Sequence, residues 1–197
     1  MRRATLRMLV KKGIRTLGIA ECSVPPKNRA VLCGVVMRGD FLIDGIAIAP
    51  VTLWGIDATD AFFSIWNKLK REDIQVIMLR GVIVSYYNIF DIERIYERTK
   101  TPVIGMIFHS RKKDVRDFLS SLPEGRERIR ILDTLGEPVP LYLKTGHKIY
   151  AYLKNIEQTA AEDIINRFLV FGKLPEPVRV ARLFGHAVLN IDAAHGF

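Results

Sequence analysis

The chain has 197 residues, 49% of them apolar and 26% charged, and its 30 Lys+Arg against 21 Asp+Glu leave a formal charge of +9. That apolar content excludes an intrinsically disordered chain and suits one domain that buries about 70% of its unfolded surface. No window holds the roughly 18 uncharged apolar residues of a spanning helix, and Lys11, Lys12 and Arg15 interrupt any apolar stretch after the first arginines. The expectation is therefore a cytoplasmic protein, neither secreted nor membrane-embedded.

The charge is unevenly spread. Arg2, Arg3, Arg7, Lys11, Lys12 and Arg15 precede the first acid, Glu21, and Arg111, Lys112 and Lys113 form a second cluster with Arg116. Such an excess favours a polyanionic partner, DNA or RNA, against the plainer reading of a solvated face and a loose arm. Cys22 and Cys33 offer neither zinc spacing nor a disulfide framework, so both are expected reduced and buried.

In chain order, residues 1–12 form a basic arm and 13–197 a single domain, with a core to about residue 122 and an elaboration beyond it. Gly13 to Glu21 has the alternation of a strand, with Leu17 and Ile19 on one face and Gly18 and Ala20 on the other. The turn cluster at Pro25-Pro26-Lys27-Asn28 leads to a second strand, Ala30 to Met37, and Gly39-Asp40 to a third, Phe41 to Leu53. The period then changes to 3.6: Phe62, Ile65, Trp66 and Leu69 share one stripe of a helix from Ala58 to Arg71, with Asp57 as N-cap and Asp60 three residues on. Gln75 to Leu79 is a buried parallel strand, Ile89 to Arg98 a helix and Pro102 to Phe108 a further strand, a right-handed βαβαβ run. Past Ser110 the pattern predicts a short helix at 115–119, strands at 139–143 and 148–153, and a helix at 159–171. An Arg-rich stretch to Leu132 has no clear period, and a last helix after Pro177 carries an apolar stripe of Val180, Leu183, Phe184, Ala187 and Val188 that should dock on the sheet.

The order βββαβαβ, with a mixed five-stranded sheet arranged 3-2-1-4-5, flanking helices and C-terminal strand and helix additions, resembles the α/β ribonuclease H-like fold. The specific residues are Leu17-Gly18-Ile19, Gly55-Ile56-Asp57-Ala58-Thr59, Val76 to Gly81, Asn88 to Glu93, Thr101 to Ile104 and, most distinctive, Leu174 to Ala181. With them the chain, from about residue 13 to 190, resembles an uncharacterised and largely archaeal family, domain of unknown function ninety-nine, related to endonuclease V. The resemblance implies phosphodiester cleavage by carboxylates that hold Mg²⁺: one on the first strand, one at the end of the fourth, and one near the start of the intervening helix. Two positions depart from it. Where the family has Gly-Ile-Asp-Asp stand Gly18-Ile19-Ala20-Glu21, and where it has Leu-Asp-Gly stand Leu79-Arg80-Gly81. Losing one acid and exchanging another for a guanidinium makes the site more positive by about three charges, each worth roughly 4 kcal/mol against a cation at about 4 Å and an effective dielectric of about 20.

The resemblance and the substitutions together predict an endonuclease V-like nucleic-acid-binding protein without nuclease activity and without a metal. Arg80 takes over as an anion ligand, able to hold a phosphate by a bidentate pair of N–H bonds. Tyr86-Tyr87-Asn88 follows the fourth strand at the carboxyl edge of the sheet, where open α/β sheets bind ligands and where aromatic rings can stack on bases. His109, Arg111, Lys112 and Lys113 end the fifth strand at the same edge and can grip a phosphate backbone. The alternatives are a Mg²⁺-dependent endonuclease using Glu21, Asp57 and Asp60, and a protein-interaction module for an acidic partner. Strand alternation turns Glu21 away from the face of Ala20, helix capping accounts for Asp57 and Asp60, and the helix dipole accounts for Asp91 and Glu93. No Walker loop, dinucleotide fingerprint or nucleophile elbow is present.

Overall fold

The computed structural model describes residues 13–24, 29–108 and 115–195; the basic arm, His109, Arg111, Lys112 and Lys113 lie outside the described residues. Three strands form an antiparallel meander, β1 (Arg15–Val24), β2 (Arg29–Arg38) and β3 (Ile43–Pro50). After helix α1 (Ala58–Leu69), β4 (Val76–Arg80) pairs parallel with β1, placing Thr16 opposite Val76 and Ile19 opposite Leu79. A small hairpin, β5 (Ile83–Val84) with β6 (Asn88–Ile89), separates β4 from α2 (Ile92–Thr99) and from β7 (Val103–Ile107), which pairs parallel with β4. Helices α3 (Val115–Ser121) and α4 (Gly125–Thr134), strands β8 (Val139–Tyr142) and β9 (Lys148–Lys154), and helices α5 (Gln158–Phe168) and α6 (Glu176–His195) complete the chain.

The main sheet has the order β3-β2-β1-β4-β7-β9-β8. Its first five members have the expected 3-2-1-4-5 arrangement, and β9 and β8 extend it to seven by antiparallel pairing on β7. The hairpin β5–β6 and helix α4 are additions to the sequence reading, and the helix expected from Ile89 starts at Ile92, Ile89 itself being the end of β6.

Strand alternation sorts the apolar residues onto two faces. Leu17, Ile19, Ile77, Leu79 and Val103 face α1, α2, α3 and α4, while Ala20, Cys33, Val76, Met78 and Ile104 face α5 and α6. On α1 the expected stripe is inward, with Phe62 and Ile65 fully buried and Trp66 and Leu69 at its margin. Helix α6 differs from expectation. Its inner side is Val178, Ala181, Gly185 and Leu189, whereas Leu183 and Phe184, placed inward by hydropathy, are 52% and 40% exposed. The cause is close approach: a Cβ on Gly18 would come within 2.4 Å of the Pro177 carbonyl carbon, and one on Gly185 within 2.8 Å of Cys22 Sγ. Small residues on both partners let the helix backbone lie directly along β1, and that contact outweighs the larger apolar side chains. No described helix is long and apolar enough to cross a membrane.

Candidate nucleic-acid interface

Because Ile19 lies opposite Leu79 in the parallel pair, Ala20 and Arg80 are the next residues of neighbouring central strands. Both continue the α6 face, Ala20 after Gly18 and Arg80 after Met78, and Gly81 (φ 90°) turns the chain away directly afterwards. Ala20 is 1% exposed under α6. The Arg80 Nε is buried without a hydrogen-bond partner. Burial, then the neighbouring charge of Arg182 on α6, pull the Arg80 guanidinium below its ordinary value, while Cys22 and Glu21 pull the other way. The Cys22 thiol donates to the Arg182 carbonyl at 3.2 Å, which fixes that helix turn over the strand end. Glu21 lies opposite Leu32 and shares the face of Leu17 and Ile19, and its Oε1 is buried with no hydrogen-bond partner.

Asp57 occupies the N-cap position of α1, yet its side chain makes no cap hydrogen bond. The cap is supplied by Asn88, whose Oδ1 accepts from the Ala58 amide at 2.9 Å. Asp57 instead accepts from the Thr52 hydroxyl at 2.7 Å, from Asn88 Nδ2 at 2.7 Å and from the Thr52 amide at 3.1 Å. Burial pushes this carboxyl up, but those hydrogen bonds outweigh it and hold the group below its ordinary value. Asp60 is 64% exposed and pairs with Arg94 at 2.9 Å. Asp91 caps α2 by accepting from the Arg94 amide at 2.9 Å, and Glu93 pairs with Lys154.

The magnesium that the endonuclease V resemblance implies does not fit this donor set. Position 20 offers a methyl group and position 80 a cation, and the Asp57 oxygens are taken up by Thr52 and Asn88. Among the described residues no group of three His, Cys, Asp or Glu side chains is placed to hold a metal ion.

Beyond β4 the chain builds an aromatic surface. The rings of Trp54 and Tyr86 stack at 5.1 Å with 13° between planes, and Tyr87 packs on Phe118 at 4.6 Å. Trp54, Tyr86 and Phe118 are 46%, 42% and 42% exposed, while Tyr87 packs against the core and Asn88 is fully buried beneath the surface. Trp54, Ser85, Tyr86 and Tyr87 all have left-handed backbones, at φ 61°, 42°, 56° and 75°. A single side chain, Arg128 of α4, reaches the two loops that carry them. It donates from Nη2 to the Trp54 carbonyl at 2.5 Å and from Nη1 to those of Gly55 at 2.9 Å and Tyr87 at 2.6 Å.

The sequence pattern of the family described as Endonuclease dU matches residues 12–189. The chain belongs to that family. UPF0215 proteins are its relatives: one from Pyrobaculum calidifontis is 36% identical over 173 residues, covering 87% of this chain and 95% of the relative. Another, from Methanopyrus kandleri, is 34% identical over 191 residues, covering 94% and 96%. A solved protein of unknown function from Archaeoglobus fulgidus superposes with a TM-score of 0.75 at 30% identity, covering 89% of this chain and 98% of that one. Endonuclease V from Ciona intestinalis, in complex with a 24mer DNA containing an inosine followed by a ribo-adenosine, gives 0.60 at 15% identity and 95% coverage of both. Endonuclease V from Bacillus subtilis gives 0.61 at 14%, covering 94% of this chain and 84% of that one. These likenesses place the Endonuclease dU member in the ribonuclease H-like fold of endonuclease V.

Of the residues picked out by sequence, Arg80 lies on the α6 face at the carboxyl ends of the central strands and Tyr86 lies in the exposed aromatic surface, while Asp57 and Asp60 are engaged with Thr52 and Asn88 and with Arg94, and Glu21 keeps a buried oxygen without a partner on the opposite face from Ala20. Trp54, Phe118, Arg128 and Arg182 were not singled out. Trp54 had a usable signal, an aromatic beside Gly55 in the loop after the third strand; Arg128 sits in an Arg-rich run that carries none.

Proposed function

We propose that this Endonuclease dU family member binds single-stranded or locally opened nucleic acid at the carboxyl edge of its sheet and does not cleave it. What carries the reading is that Ala20 and Arg80 directly follow the Ile19–Leu79 pair of the two central parallel strands, a methyl and a guanidinium where the resemblance calls for two carboxylates. Arg80 would hold a phosphate by charge-assisted hydrogen bonds, and the nearby charge of Arg182 adds to the positive field. Tyr86 and Trp54 offer ring faces to unpaired bases, and His109, Arg111, Lys112 and Lys113 extend the contact along the backbone. Endonuclease V from Ciona intestinalis, which shares the fold, is seen in complex with DNA, which agrees with a nucleic-acid partner.

The test is anisotropy of a labelled oligonucleotide at about 50 mM salt, run with and without EDTA, beside a cleavage assay on deoxyuridine- or deoxyinosine-containing DNA with Mg²⁺ or Mn²⁺. The expected result is salt-sensitive binding unchanged by EDTA, weakened about tenfold by Arg80→Ala, with no product. Metal-dependent cleavage that Asp57→Asn abolishes would overturn the reading in favour of a nuclease.

A further inference from the structure

Arg128 is 1% exposed and meets no carboxylate at hydrogen-bonding distance; Glu124, at 3.9 Å, is itself 54% exposed. Four of its N–H groups go instead to backbone carbonyls, the three already named and that of Pro123, which Nε reaches at 3.0 Å. A buried cation held by peptide dipoles contributes little to stability compared with an apolar side chain of the same volume. Its acceptors are informative: Trp54 and Gly55 belong to the loop between β3 and α1, Tyr87 to the turn between β5 and β6, and the two loops also meet where the Trp54 amide donates to the Ser85 carbonyl at 2.8 Å. Four left-handed non-glycine residues, Trp54, Ser85, Tyr86 and Tyr87, fall in these two loops, a conformation that persists only where surroundings enforce it.

We propose that Arg128 is a positioning residue of a nucleobase-stacking site made by Trp54, Tyr86 and Phe118, which it holds in shape by clasping the carbonyls of both aromatic loops. The inference rests on the nucleic-acid reading above and adds which rings take the base and what fixes them. Trp54 and Tyr86 are in contact with each other, so a base stacks on the outer face of the pair and is not inserted between the rings. The ligand class is an unpaired base of any identity, because every base has a π-face.

The experiment measures binding of fluorescein-labelled oligo-dT by wild type, Trp54→Ala, Arg128→Met, Arg128→Lys and the double variant Trp54→Ala/Arg128→Met. Trp54→Ala is expected to weaken binding about tenfold, Arg128→Met by a similar factor, and the double variant by clearly less than the product of the two. Lysine, with three donors on one centre, cannot span four carbonyls and should fall between wild type and Met. In a Trp66→Phe background without nucleic acid, Arg128→Met should make Trp54 more accessible to acrylamide while melting stays cooperative. Additive losses in the double variant, or wild-type affinity in Arg128→Met, overturn the proposal. If Arg128→Met does not fold, Arg128→Lys decides: wild-type affinity and wild-type quenching count against the clasp. Failure of wild type to bind oligo-dT removes the nucleic-acid reading itself, whereas binding that ignores Trp54→Ala removes only this site.

Discussion

The Asp57 carboxylate accepts from the hydroxyl and amide of Thr52 and from Asn88, which in turn caps α1. An acid near the start of this helix is thus engaged in closing a loop onto a helix end. Asp57→Ala strands the Thr52 amide and one Asn88 N–H and should lower stability by about 2 kcal/mol in urea with an unchanged m-value. Because the folded carboxyl lies below its ordinary value of 3.8, its stabilisation is complete above that pH and is lost as pH falls through the folded value. Asp57→Asn should therefore flatten the acid limb of a melting-temperature profile from about pH 4 downward. The two thiols behave oppositely: burial pushes Cys22 up to about 11 and Cys33 up to about 12 from 9.0. Their stabilisation is complete below pH 9 and is lost as pH rises through 9 to 12, and neither should react with a thiol reagent at pH 7 until the chain is unfolded in urea. The expected buried thiols were legible from the sequence; the exchange of roles between Asp57 and Asn88 was not, because residues 31 apart are joined only by the fold.

Helix α6 lies on β1 through Gly18 against Pro177 and Gly185 against Cys22. The obstacle at Gly18 is backbone, which cannot rotate away, so Gly18→Ala should cost about 3 kcal/mol and lower the melting temperature by roughly 6 to 12 °C in calorimetry. The meander and the βαβαβ run were legible because their periods of two and 3.6 are carried by large apolar residues such as Leu17, Ile19, Phe62 and Ile65. The face of α6 was not, since hydropathy favours Leu183 and Phe184 while glycine and alanine carry the contact. Helix α4 escaped notice for a related reason. Its buried side is Gly125, Arg128 and Ile131, with Leu135 just past its end, and a glycine followed by an arginine breaks the apolar period. The β5–β6 hairpin turns at Ser85, Tyr86 and Tyr87, three left-handed residues with no glycine among them to announce the turn.

At the scale of the molecule, a formal +9 is joined to a sheet whose central parallel pairing ends just before Ala20 and Arg80. Binding driven by phosphate contacts weakens with salt in proportion to their number, so Arg80→Ala should reduce the slope of log affinity against log salt by about one and weaken all sequences alike. The elements were legible well past the fifth strand, β8, β9 and α5 among them, but not the antiparallel pairing of β9 on β7; the arginine clasp between two distant loops depends on where α4 settles, which no local pattern records. The turn at 85–87 has a practical corollary for anyone reshaping this chain. Ser85→Gly would relieve a left-handed backbone and remove a buried hydroxyl with no partner, raising stability by about 1 kcal/mol, whereas glycine at 87 would also delete a ring packed on Phe118 and the core and lose more than it gains. A redesign guided by melting temperature alone would therefore be drawn to Ser85 first, and would loosen the bend that presents the neighbouring ring of Tyr86.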